Sequence, residues 1–163
     1  MDTSSPAQPL LVYGYGNPGR QDDGLGVRLV EELEAWAHKQ GMRGVVFDSN
    51  YQLNAEDALA VASSREVIFV DAAVEGVEPF EFRRLVPGRQ ISFSTHAMPP
   101  ESILALAEEL YNATPPAWLL AVRGYAWEVQ EPISPQARSN LDAAFHFLCD
   151  WLLGSGNTAE DKR

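Results

Sequence analysis

Asp22 and Asp23 stand together just after a glycine-rich turn, Asp71 closes an apolar run, and His96 stands in a loop ahead of a helical pattern. Carboxylates gain nothing from an apolar core, so two of them at the ends of strand-like segments point to a cation or to proton transfer. With the first and third strands adjacent, Asp23 and Asp71 converge at one edge of the sheet, and His96 reaches that edge from its loop. Two carboxylates and an imidazole make an open O,O,N set. It leaves coordination positions for water and substrate and suits a borderline divalent metal such as zinc or nickel. The plainer alternatives are that Asp71 caps a turn, that Asp22 and Asp23 complement a helix N-terminus, and that His96 is a surface residue.

Two other groupings invite chemistry. Gly14-Tyr15-Gly16-Asn17-Pro18-Gly19 follows the apolar run Leu10-Leu11-Val12-Tyr13 and is formally a dinucleotide G-x-G-x-x-G. Against that reading, Pro18-Gly19 reads as a turn where the helix should begin, and Asp22-Asp23 set two negative charges beside any pyrophosphate. Asp48 follows the second strand later than the usual ~20 residues for a ribose-binding acid. The single cysteine, Cys149, has His146 nearby but falls on an apolar helical face beside Leu148 and Leu152. It reads as a buried thiol, not a nucleophile.

The elements that must position these residues alternate between strand and helix. Strands are predicted at 10–15, 45–47, 67–70, 80–86 (an edge strand) and 117–122. Helices are predicted from Asp22 to Gly41, from Asn54 to Ala62, after Pro99-Pro100, and from Ser134-Pro135 to Gly154. Asp22 is the predicted cap of the first helix, Gly41 its stop, and Asn54 the cap of the second. The alternation predicts an α/β fold, a three-layer α/β/α sandwich on a mostly parallel twisted sheet of about five strands. The chain reads as one domain over 1–163, with a core at about 9–153 and flexible tails at 1–8 and 154–163.

A chain of 163 residues with 45% hydrophobic and 21% charged residues is ordinary for a globular domain. A net charge of −11 argues against binding a phosphate backbone. One cysteine forms no internal disulfide, the start lacks a signal-like apolar stretch, and no run is long enough to span a bilayer. These features predict a cytoplasmic protein without nucleic-acid or membrane partners.

The combination Gly14-Tyr15-Gly16-Asn17 and Asp22-Asp23-Gly24-Leu25-Gly26 resembles the N-terminal signature of the [NiFe]-hydrogenase maturation endopeptidases. Asp71 after Val67-Ile68-Phe69-Val70 resembles that family's second acidic site, and Thr95-His96 its histidine site; the resemblance covers residues 9–152. It implies an endopeptidase that cuts a C-terminal extension from the nickel-loaded precursor of a hydrogenase large subunit. It also implies Asp23, Asp71 and His96 as catalytic and metal-binding residues, the metal being a divalent ion, nickel carried by the precursor. Gly16, Asn17 and Asp22 would shape the site. Some family members carry Glu where this chain has Asp23, one methylene shorter, which makes Asp22 an alternative first ligand. Tyr51-Gln52-Leu53 and Gly124-Tyr125-Ala126-Trp127 offer aromatic contact surfaces for the precursor, or else pack the domain. The competing classes are a non-catalytic nickel-sensing maturation chaperone and a nucleotide-binding α/β protein.

Overall fold

Four consecutive β-forming residues, Val67 to Val70, have no polar side to show to water, and each is fully buried. They form the middle of β3 (Glu66–Ala73) at the centre of the sheet. The computed structural model describes residues 7–88 and 98–160, the side chains of 155–160 excepted. Within them the sheet runs β2-β1-β3-β5-β4, with β1 Leu10–Tyr15, β2 Val45–Asn50, β5 Ala117–Arg123 and β4 Phe80–Leu85. All neighbours pair in parallel except β4, which pairs antiparallel with β5 at the edge. This agrees with the predicted sandwich.

Alternate residues of the central strands feed two cores. Leu10, Val12, Ile68, Val70, Leu120 and Val122 face α1 (Leu25–Lys39) and α4 (Pro135–Glu160). Leu11, Tyr13, Val67, Phe69 and Ala117 face α2 (Asp57–Ala62) and α3 (Pro100–Tyr111). From β1 the chain passes to β2 on one side, and β3 lies on the other, so the sheet order reverses at β1/β3. That crevice is where ligands bind in open α/β sheets.

The end of α1 follows the predicted stop. Gly41 takes φ 66, its N–H donates to the His38 carbonyl, and Met42 N–H donates to Ala37, a Schellman motif. Pro100 opens α3 at its first position, where a missing N–H costs nothing.

Other helix limits differ from expectation. Asp22 does not cap α1. A 3-10 turn at Gln21–Gly24 precedes that helix, its N-cap is Gly24, and the Asp22 side chain turns elsewhere. Asn54 does not cap α2 either. The bond runs the other way, Asn54 N–H donating to the Asp57 carboxylate at 2.7 Å, while Tyr13 Oη–H holds the second Asp57 oxygen at 3.1 Å. Nor does Gly154 end α4, which continues to Glu160. Gly154 keeps a negative φ and lies in open space, so nothing there forces a stop. Among the described residues no helix is long and apolar enough to cross a membrane.

Candidate active site

The glycine-rich turn is built for contact with its own chain. Gly16 has φ 137, a region that disfavours side chains, and a Cβ there would lie 2.1 Å from the Asp23 carbonyl oxygen. A Cβ on Gly26 would lie 2.4 Å from the Val70 carbonyl oxygen and 2.8 Å from that of Tyr15. The glycines thus let the first turn of α1 press onto the ends of β1 and β3. A Cβ on Gly14 would meet the Gly26 carbonyl at 2.4 Å. The space a pyrophosphate would need is filled by the α1 backbone, which counts against the nucleotide reading. Asn17 ties the turn together: its side-chain oxygen accepts from Gly19 N–H at 2.9 Å and its carbonyl from Arg20 N–H at 3.1 Å.

Asp23 projects from the 3-10 turn and is half-buried, one carboxylate oxygen accepting the Asn17 N–H at 2.9 Å. Asp71 stands on β3 one residue past the Gly14–Val70 pair, level with Tyr15 on β1. One Asp71 oxygen accepts the Ala72 N–H at 2.7 Å, and the Tyr15 hydroxyl lies near enough to act on the charge of the carboxylate. Burial pushes Asp71 up to about 7; the negative charge of Asp23 adds to the rise, against the opposing pull of the Ala72 amide and the Tyr15 hydroxyl. Tyr15 is itself pushed up, first by burial and then by the Asp71 charge. Asp23 and Asp71 thus lie near enough at the β1/β3 crevice for the charge of one to act on the other. Two like charges facing each other in a partly desolvated crevice favour either a shared proton or a cation.

His96 and Thr95 lie outside the described residues. The flanks of their segment are anchored: Gly88 N–H donates to the Glu101 carbonyl on α3, and Met98 is buried in the α2/α3 core. Among the described residues no group of three His, Cys, Asp or Glu side chains assembles for a metal ion. Asp23 and Asp71 supply hard oxygen donors, one with its charge disfavoured by burial, which fits a divalent cation.

Asp22 takes no part as a ligand. Its carboxylate is fully buried and accepts four donors: Ser134 N–H at 2.8 Å, Ser134 Oγ–H at 2.7 Å, Tyr125 N–H at 2.7 Å and Ala126 N–H at 2.9 Å. Burial acts to raise its pKa. The Ser134 hydroxyl and amide and the Tyr125 and Ala126 amides outweigh that effect and hold it below the ordinary carboxylate value. Three of these bonds fall on Oδ2 and one on Oδ1, and the side chain is closed off from solvent, so Asp22 is not placed to serve as the alternative to Asp23.

The remaining positions sort by burial. Cys149 is buried in the α1/α4 core, its thiol pushed up to about 11 by burial and by Asp150, so it holds no thiolate. Cys149→Ser is expected to lower stability by ~1–3 kcal/mol and to leave catalysis within about twofold, read by thermal melts and by cutting rate. Asp48 is exposed and folds back onto the Ser49 N–H. Tyr51 is 69% exposed, whereas Tyr125 is half-buried, lies against the Arg123 guanidinium, and donates its hydroxyl to Glu78. The sequence alone does not single out Tyr15. Its place beside Gly14 at a strand end was the available signal, but the partner, Asp71, becomes visible only once β1 and β3 pair.

No protein-family model matches the chain, and no curated protein sequence does. Solved structures do. A [NiFe] hydrogenase maturation protease from Thermococcus kodakarensis KOD1 superposes with a TM-score of 0.69 at 21% identity, over 91% of this chain and 94% of its own. A hydrogenase maturating endopeptidase from E. coli gives 0.64 at 21% identity, again over 91% and 94%. A hydrogenase 2 maturation peptidase from Thaumarchaeota archaeon SCGC_AB-539-E09 gives 0.63 at 20% identity, over 89% and 98%. At such identities the likeness is one of architecture, and it spans nearly the full length of each: the chain has the fold of these maturation proteases.

Proposed function

We propose that this protein is a cytoplasmic endopeptidase which removes a C-terminal extension from the nickel-loaded precursor of a [NiFe]-hydrogenase large subunit. The observation that carries this reading is the convergence of Asp23 and Asp71 at the β1/β3 crevice of a fold shared, nearly end to end, with maturation proteases. Nickel enters as the substrate's cargo. Asp23 and Asp71 present carboxylate oxygens to it, and His96 supplies the imidazole that completes an O,O,N set. A divalent cation held there supplies Lewis acidity and charge neutralisation.

The chain's own residues supply the proton chemistry. A carboxylate oxygen of Asp71 accepts a proton from the attacking water. The water oxygen bonds to the scissile carbonyl carbon, the C–N bond breaks, and the proton passes to the leaving amine. Tyr15 lies beside Asp71 across the β1/β3 pairing. Exposed Tyr51, just past β2, and half-buried Trp127, in the loop after β5, offer contact to the precursor.

The test is the intact mass of a nickel-loaded precursor before and after incubation. Loss of one C-terminal fragment, absent from a nickel-free control, supports the reading. An unchanged mass with a stable complex favours a non-catalytic nickel-sensing chaperone. His96→Ala is expected to bring nickel-dependent cutting to background while the fold persists. Cutting at the wild-type rate removes His96 from the site.

A further inference from the structure

Asp22 and Asp23 are adjacent, yet their carboxylates make different bonds. Asp23 bonds to Asn17 and faces Asp71, whereas Asp22 is enclosed by the β5–α4 loop. The bonding extends along the whole turn. Arg20 Nη2 donates to the Trp127 carbonyl, Gln21 N–H to Gln130, Gln21 Nε2 to Pro132, and Asp22 N–H to Ala126; Glu128 N–H returns to Gln21 Oε1. Gln21 holds φ 43, an uncommon conformation for a residue with a side chain. Such a backbone persists only where its surroundings impose it. No other element holds the turn from this side among the described bonds, and Asp23 follows Asp22 by one peptide.

We propose that Asp22 is a positioning residue: by fastening the 20–24 turn to the β5–α4 loop, it holds the Asp23 carboxylate opposite Asp71. The proposal rests on the protease reading for what Asp23 does, but not for where Asp23 sits. A buried carboxylate with four donors cannot shift without leaving amides unpaired, which makes it a stiff anchor. Asn17 N–H, bonded to Asp23, reports directly on whether that anchor holds.

The experiment is amide hydrogen exchange by NMR on the full-length protein, well below its melting temperature, for wild type, Asp22→Asn and Gln21→Ala. In Asp22→Asn, Asn17 is expected to exchange at least ~10-fold faster while Val12, inside β1, is unchanged. Gln21→Ala removes bonds to the same loop but spares the carboxylate, and Asn17 stays slow. Should Asp22→Asn fail to fold, Ser134→Ala removes one donor and moves Asn17 by at least ~3-fold. An Asn17 rate unchanged in Asp22→Asn, or in Ser134→Ala where that stands in for it, or rising in step with Val12, overturns the proposal, because the role of Asp22 is then absent or only global. With precursor as substrate, Asp22→Asn is expected to lower kcat at least ~10-fold with KM within about twofold. A wild type that cuts nothing sinks the protease reading, and the exchange result still decides the role of Asp22.

Discussion

Asp71→Asn is expected to lower the cutting rate by ~10²–10⁴-fold, the usual loss when a positioned general base is removed. The same substitution is expected to make the metal-free protein more heat-stable above pH 7. Both effects come from one circumstance. Burial and the facing charge of Asp23 place the folded-state pKa of Asp71 at about 7, whereas an unfolded aspartate releases its proton near ~4. Over that window the native protein keeps a proton that the unfolded chain has released. The stability contributed by this group is therefore complete below about pH 4 and is lost as pH rises through about 7. An asparagine has no proton to lose, so its melting temperature lacks that decline. Melts of chelator-treated wild type and variant across pH 4.5 to 8, beside cutting rates, check both halves. Equal cutting would remove Asp71 from the chemistry, and equal pH slopes would mean that its proton is not held in the folded state.

Gly26→Ala is expected to be nearly as damaging to activity, although Gly26 touches no substrate. The new Cβ would lie 2.4 Å and 2.8 Å from two carbonyl oxygens, on Val70 and Tyr15. Both belong to strand backbone, so the helix must move instead of the sheet. Overpacking of this sort costs roughly 1–3 kcal/mol, and the shift opens the crevice that joins the Asp23 turn to Asp71. Misplacement of a catalytic group by about 1 Å costs ~10²-fold in rate. A melting curve with a modest fall in stability, together with a large fall in rate measured on folded protein, is the expected pair. Gly41→Ala is the useful contrast. It lies in open space with φ 66, so it should lose stability through backbone strain alone and keep its rate.

The central strands were legible because Leu10-Leu11-Val12-Tyr13, Val67 to Val70 and Ala117 to Val122 are apolar without interruption, the pattern of a strand covered on both faces. The meeting of Asp23 and Asp71 followed from the βα alternation alone. What remained hidden is non-local. Nothing in Asp22-Asp23 tells which acid faces the crevice and which is buried, because the donors that settle it lie at 125, 126 and 134. Tyr15 was hidden for the same reason, its partner being on another strand. Gly154 misled in the opposite direction: a glycine permits a helix to stop but does not compel it.

The bonds around Asp22 also join parts of the chain that are made far apart in time during synthesis. The groups that lock the Asp22 turn follow it by 103, 104 and 112 residues, in the loop between β5 and α4. A nascent chain thus carries its acids long before it can aim them. On the protease reading, the aiming of Asp23 therefore waits on the β5–α4 loop.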